Sequence, residues 1–522
     1  MYLHWLDIVT LLAYLFVVTI MGIYFSCKNT STEEYFVGGR SFNGWVIGLS
    51  LVGTSISSVT FVAYPADAFK TAWLRFLPNL TLPICVVIAA YVFLPFFRRG
   101  KITSAYEYLE DRFGPSIRVY GSIAFIITQV VRVSMILYLI SLVIYEMSGF
   151  SPVMCILIGG VVVAIYTIIG GINAVIWTDV FQTAVFIIGG IVTLVIIVNK
   201  LPGGLGQIFS VAIEEHKFAL AEWTNGKAEP VSWALSLKDK TAAMMLIIGL
   251  TVWLNEYSAN QNTIQRYCAS KNVKEARKAM YVCALMSIPI WAFFMFIGTS
   301  LYVFFKVYPS IEATEMLTGV RKADQILPFF IVNYMPPGVT GLVIAAVLAA
   351  GMSSLDSSIN AISTVTVVDL YRRHMVKGKS DRHYLKVAWI TATIASVFMI
   401  VGAILLLKSG SKTFQDTAVI LGALFGGGLL GLYMLGFFTK KGDTRSVGFG
   451  IIFTIAFTAW TILSDRKILP ETFCFPFNLY YVGVVGNFVM FVVGYVVGTI
   501  LPAKKRNFKN LTIWEQTKLP ID

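Results

Sequence analysis

The sequence predicts an all-α polytopic membrane protein, and three observations predict it. Of the 522 residues, 57% are hydrophobic and only 13% are charged, whereas soluble domains carry about a quarter charged residues. Mean hydropathy is +0.75. Apolar stretches of spanning length, about 20 residues each, recur from end to end. The basic residues gather in short connections between those stretches, where they set orientation. The net charge of +13 therefore speaks for topology and not for nucleic-acid binding.

Taken in order, the stretches fall at 5–26, 43–69, 76–98, 117–147, 153–170, 175–199, 241–267, 277–306, 326–371, 385–408, 414–439, 446–464 and 476–501. They make about thirteen helices, an odd number that puts the termini on opposite sides. Arg98, Arg99, Lys101 and Arg112 form one basic group. Arg266, Lys271, Lys274, Arg277 and Lys278 form a second, and Arg372, Arg373, Lys377, Lys379 and Arg382 a third. Lys440, Lys441 and Arg445 form a fourth, and Lys504, Lys505, Arg506 and Lys509 a fifth. All five fall on one side, which the positive-inside rule makes cytoplasmic. The N-terminus is then outside, the C-terminus is cytoplasmic, and the longer connections 200–240 and 307–325 are external.

The first stretch reads as a helix and not as a cleaved leader. His4 and Asp7 stand where a cationic region belongs, and no small-residue cleavage site follows. Cys27, Cys85, Cys155, Cys268, Cys283 and Cys474 show no metal spacing, so packing is expected of them and no disulfide. There are no low-complexity tracts or long linkers, and residues 1–522 read as a single membrane domain.

Two stretches are interrupted. The second contains SLVGTSISSVTFVAYP (Ser50–Pro65), with Gly53, a hydroxyl cluster and Pro65. The seventh contains the polar run WLNEYSANQ (Trp253–Gln261). They stand at similar places in two successive sets of five helices, about 43–199 and about 241–439. Paired broken helices point to a midplane transport site, where freed carbonyls bind cations and helix N-termini bind anions.

The ninth stretch turns polar at Ser353, Ser354, Asp356, Ser357, Ser358 and Asn360. Ala350, Ser353, Ser354 and Ser357 share one helix face, with Asp356 beside it. A membrane carboxylate is costly without a cation, a partner or water, and hydroxyl and carboxylate oxygens suit hard cations. Close helix packing is the alternative use of such small residues. Arg132 lies well inside the fourth stretch. Its planar fork suits a substrate carboxylate, and a structural ion pair is the alternative. Asp179 opens the sixth stretch, with a cation ligand, an ion-pair partner and a helix cap all open to it. Glu256, Asn255, Tyr257 and Asn260 are candidate cavity groups in the seventh.

Enzyme signatures are absent. None of the four histidines makes an HExxH pair. There is no GxxxxGK[ST] loop, which argues against ATP-driven transport, and no GxSxG. Transport driven by an ion gradient remains.

Five stretches together resemble the sodium/solute symporter family: YTIIGGINAVIWTD (Tyr166–Asp179), EEYFVGGRSFNGW (Glu33–Trp45), KITSAYEYLEDRFG (Lys101–Gly114), NQNTIQRYCASKN (Asn260–Asn272) and AAGMSSLDSSIN (Ala349–Asn360). The resemblance runs through nearly the whole chain in order. It implies a LeuT-type 5+5 inverted repeat. One extra helix (about 5–26) would precede a first repeat (43–199) and a second repeat (241–439), with two C-terminal helices (446–501) after them. GTSISSVTF (Gly53–Phe61), RVSMILY (Arg132–Tyr138) and PFFRRGKITSAYEYLE (Pro95–Glu110) are most similar to the bacterial sodium/sialic acid symporters.

That subgroup implies a first sodium site at Gly53, Ile56, Ala350, Ser353 and Ser354. It implies a second at Asp179, Ser353, Asp356 and Ser357. The subgroup pattern has serine where this chain has Asp356; a second carboxylate strengthens the field on a cation or takes up a proton. The substrate carboxylate maps to Ser55, Ser57, Thr60 and Arg132. Asn79 stands where a glutamine would meet the polar tail of the substrate, and Arg75 where an aromatic would. The resemblance thus implies a sodium-coupled symporter of the bacterial cytoplasmic membrane, in contact with lipid, importing sialic acid. Other monocarboxylates, sugars or amino acids are the alternative substrates, and a transporter-like sensor is the alternative class.

Overall fold

Apolar stretches that must satisfy their own backbone hydrogen bonds in lipid become helices. The computed structural model describes residues 4–26, 30–98, 102–148, 151–224, 227–408, 427–465, 467–501 and 507–516. Among these, ten helices are long and apolar enough to cross a membrane, or eleven with one bent pair counted as a span.

The first helix, α1 (Trp5–Ser26), faces outward along most of its length. Asp7 is its buried acid, and its carboxylate accepts from the N–H groups of Gly338 and Gly341 at 2.7 and 2.8 Å. It therefore caps another helix, which explains a carboxylate at the start of an apolar span. The bent pair is α2 (Gly44–Ser55) and α3 (Thr60–Lys70), turned by 59°. Then come α4 (Leu74–Phe97), α5 (Pro115–Ser148) and α6 (Pro152–Lys200). The element α6 is two helices joined at a kink, in keeping with the two stretches expected at 153–170 and 175–199. Its 49 residues are enough for two bilayer crossings of about 20 residues each. It is interrupted at Gly171, whose φ of 60° and ψ of −170° suit glycine.

The seventh stretch is also broken, into α7 (Ala242–Ala259) and α8 (Gln261–Ala269). Asn260 sits extended between them, and its side chain caps α8. After α9 (Val273–Val307), the stretch expected at 326–371 is two helices, α10 (Ile326–Tyr334) and α11 (Val339–Met375). Pro336, Pro337 and Gly338 separate them, since proline cannot continue a helix. The chain ends with α12 (Asp381–Lys408), α13 (Leu429–Phe438), α14 (Thr444–Asp465) and α15 (Leu479–Ile500). Part of the 414–439 stretch, Cys27 and the basic residues Arg99, Lys101, Lys504, Lys505 and Arg506 lie outside the described residues.

One departure from all-α is a small antiparallel hairpin, Ala221–Thr224 with Lys227–Pro230, in the connection 200–240. Cys85, Cys155, Cys268 and Cys283 are buried free thiols, and Cys474 is a half-buried one.

At the centre stands α11, buried almost throughout and packed on α6, α5 and α1. The broken α2–α3 packs on α9 and α6. Arg98 and Arg40 donate to carbonyls of Tyr267 and Cys268 at the C-terminal end of α8. This is the end of a helix where cations are favoured.

Candidate functional site

The polar face of α11 lies against the end of α2. A Cβ on Gly53 would stand 2.8 Å from Ser353 Oγ and 2.7 Å from Thr183 Oγ1, so any larger residue would have to push both hydroxyls aside. Helix α2 ends at Ile56, which turns out of the helix at φ −103°, ψ 105°. Ser354 Oγ donates to the Thr54 carbonyl at 3.3 Å, and the hydroxyls of Thr54 and Ser357 lie 3.2 Å apart. Ala350 shares this buried face. Ser353 Oγ is buried without a hydrogen-bond partner.

Four elements converge beside it. Arg266 of α8 donates to Asp179 Oδ2 of α6 at 2.8 Å, to Ser50 Oγ of α2 at 2.9 Å and to Ser357 Oγ of α11 at 2.7 Å. Ser50 Oγ also donates to Asp179 at 2.5 Å. Both charged side chains are fully buried. This corrects the place of Arg266, expected among the cytoplasmic loop charges; it is a core counter-ion. Asp179 is about two turns past the break at Gly171, inside the helix and not at its cap position.

One oxygen of the pair is left over, since Asp179 Oδ1 is buried without a hydrogen-bond partner. Asp356 accepts from Tyr166 OH at 3.0 Å and from the Ser357 N–H at 2.6 Å, and has no ion-pair partner among the described residues. The cluster thus holds two carboxylates and one guanidinium. Its orphaned oxygens, Ser353 Oγ and Asp179 Oδ1, are hard donors that fit an alkali cation.

Arg132 of α5 reaches the same corner, where its Nη2 donates to the Thr54 carbonyl at 3.4 Å. Its Nη1 lies 3.8 Å from Glu256 Oε2 of α7, and 31% of the Arg132 side chain is exposed. Ser57 and Thr60 are buried at the α2–α3 break, where the Thr60 N–H donates to Ser57 O. Ser55 Oγ faces Cys283 Sγ at 3.9 Å. Asn79 lies on the α3 side, donating to Tyr64 OH at 3.0 Å, and Arg75 pairs with Asp67 at 3.5 Å. Asn262 and Ser358 both donate to Gln129 Oε1, at 3.2 and 3.1 Å, tying α8 and α11 to α5.

Sequence reasoning missed the Arg266–Asp179 pair, the Tyr166–Asp356 bond and the partner of Glu256. Arg266 carried a signal, as an arginine inside a stretch predicted to span, and an ion pair was among the roles open to Asp179 and Arg132.

Two broken helices that meet at a buried, oxygen-lined ionic cluster in a polytopic membrane protein define an ion-coupled secondary transporter, not an enzyme. Residues 35–450 match the sodium:solute symporter family, and the chain belongs to that family. It is 33% identical over 497 residues to the sodium/sialic acid symporter SiaT of Proteus mirabilis (strain HI4320), covering 95% of each chain. It is similar, at 31% identity and TM-score 0.84, to a Na+-coupled sialic acid symporter in its substrate-bound outward-open state, reported to reveal a novel Na+-site. That match covers 96% of this chain and 99% of the other. The fold is also shared with Mhp1, a nucleobase-cation-symport-1 family transporter in a closed conformation, at TM-score 0.55 and 13% identity over 88% of this chain and 93% of that one. Sodium is the coupling ion of this family.

Proposed function

We propose that the chain imports N-acetylneuraminic acid together with sodium across a bacterial cytoplasmic membrane, by alternating access. The observation that carries this is Arg132: an intramembrane guanidinium, partly exposed, whose contacts are long and leave its fork open. A carboxylate that makes two parallel bonds to that fork displaces little and gains much. The names of the SiaT relative and of the structural neighbour support sialic acid as that carboxylate.

In this reading the first sodium is held by Gly53, Ile56, Ala350, Ser353 and Ser354, and it ties α2 to α11. The second is held by Asp179, Ser353, Asp356 and Ser357, with Arg266 alongside. Ser55, Ser57, Thr60 and Arg132 take the substrate carboxylate, and Asn79 meets its polar tail. Sodium at the α2–α11 contact favours the outward-open state and raises substrate affinity. Substrate raises sodium affinity by the same factor.

The topology in this reading is thirteen helices with the N-terminus outside and the C-terminus cytoplasmic. Counting α6 as two spans, and the broken pair α2–α3 and the partly described 414–439 stretch as one each, supports that number. The extra helix at 5–26, repeats at 43–199 and 241–439, and the pair at 446–501 make one domain, with lipid around it.

Competition separates carboxylate from neutral substrates. Sodium-driven uptake of labelled N-acetylneuraminic acid is expected to be blocked by the unlabelled acid and poorly by its uncharged methyl ester. Equal inhibition by the two would contradict the assignment of Arg132.

A further inference from the structure

The carboxylate of Glu256 is held at both oxygens across the break in the seventh stretch. Asn260 Nδ2 donates to Oε2 at 2.6 Å, and Thr263 Oγ1 of α8 donates to Oε1 at 2.8 Å. So held, it stands 3.8 Å from Arg132 Nη1, near enough to serve as counter-ion and too far for a direct hydrogen bond. Arg132 has its other contact at the Thr54 carbonyl, at 3.4 Å. Both of its contacts are longer than the 2.7–2.9 Å of a charge-assisted bond, roughly. A ligand carboxylate can therefore take the fork of Arg132 while Glu256 stays in place.

The charge count then decides what else must bind. Arg132 and Glu256 together are neutral. A second carboxylate on Arg132 leaves this pair at net −1, in a site where only 31% of the Arg132 side chain and 18% of the Glu256 side chain meet solvent. Charge imbalance in such a place is costly, and a nearby cation removes it. The cation position closest in bonding terms is that of Ser354, whose hydroxyl meets the same Thr54 oxygen as Arg132.

We infer that Glu256 makes the binding of an anionic substrate depend on sodium, by cancelling the charge of Arg132 in advance so that carboxylate and cation are accepted as a neutral pair. The inference rests on the proposed role of Arg132. Without Glu256, Arg132 alone neutralises the substrate, and the cation at Ser354 is no longer required to balance this pair. Glu256 is thus a positioning residue for coupling and not a ligand of either.

The test is equilibrium binding of N-acetylneuraminic acid to the purified full chain, in sodium and in potassium. Wild type, Glu256→Gln, Glu256→Asp and Glu256→Ala are compared, with thermal unfolding to confirm that each is folded. Wild type is expected to bind more tightly in sodium. In the two neutral variants that ratio falls by about tenfold or more, because affinity in potassium rises; the aspartate variant keeps it. A merely structural role would weaken binding in both salts and leave the ratio intact, and that result overturns the inference. Absence of sialate binding by the wild type in either salt would instead show that the substrate reading of Arg132 has failed, and the inference with it.

Discussion

Arg132 and Ser354 donate to one and the same backbone oxygen, that of Thr54, at 3.4 and 3.3 Å. Helices α5 and α11 thus lean on a single carbonyl near the end of the broken helix α2. A group that binds Arg132 and an ion that binds Ser354 are felt at the same point. Coupling between two ligands needs such a shared element, biased by both.

Removing the hydroxyl at one side of this point should weaken the response to sodium. Ser354→Ala is expected to raise the sodium concentration for half-maximal uptake about tenfold, with little change in thermal stability. A sodium titration of uptake checks it. Unchanged sodium activation would contradict the first ion site.

At the other side, charge alone should not suffice. Arg132→Lys keeps the charge and loses the fork, so sialate affinity is expected to fall by at least about tenfold. Arg132→Ala is expected to abolish carboxylate uptake. Undiminished sialate transport by the alanine variant would remove Arg132 from the substrate site.

The buried Arg266–Asp179 pair, at 2.8 Å, makes a stability prediction. Asp179→Asn leaves a guanidinium buried without its counter-ion, at a cost of about 3–5 kcal/mol. Arg266→Gln in the same chain should recover part of that loss, because the double variant no longer buries a guanidinium that has lost Asp179. Thermal unfolding of the two single variants and the double variant in detergent measures this coupling. Strictly additive losses would show that the two residues do not act as a pair.

Legibility in the sequence followed the range of the forces involved. Helices and their apolar faces are local, and hydropathy located nearly every one. The breaks at Ile56 and Asn260 were also visible, as polar runs inside apolar stretches. The split between α10 and α11 was legible in Pro336, Pro337 and Gly338, but the apolar residues on either side masked it. The charges were harder. Arg266 lies at the end of a predicted span, where a basic residue reads as a loop anchor, and only the fold brings it onto Asp179, 87 residues away in sequence. The partner of Glu256 is likewise on another helix, α5, and periodicity within α7 carries no trace of it.

A second stability prediction concerns pH. Lys217, in the connection 200–240, donates to the carbonyls of Phe69 and Thr71 at 2.8 and 2.7 Å, and lies 3.9 Å over the Tyr302 ring. It thereby caps the C-terminal end of α3. Burial pushes its ammonium from the usual 10.5 down to about 7. Between those values the unfolded chain binds the proton and the folded chain does not, so this group adds stability as pH rises from 7 toward 10.5. Lys217→Met should remove that contribution. Melting temperatures of wild type and variant between pH 7 and 9 are expected to diverge as pH rises. Parallel curves would contradict a depressed Lys217.

The central claim is sodium-coupled import of a carboxylated sugar, and one measurement tests it most directly. Purified protein in proteoliposomes is given labelled N-acetylneuraminic acid under an inward sodium gradient, and again with potassium replacing sodium. Accumulation above the external concentration in sodium, and none in potassium, is the predicted result. Equal uptake in both salts, or equilibration without accumulation, would contradict it.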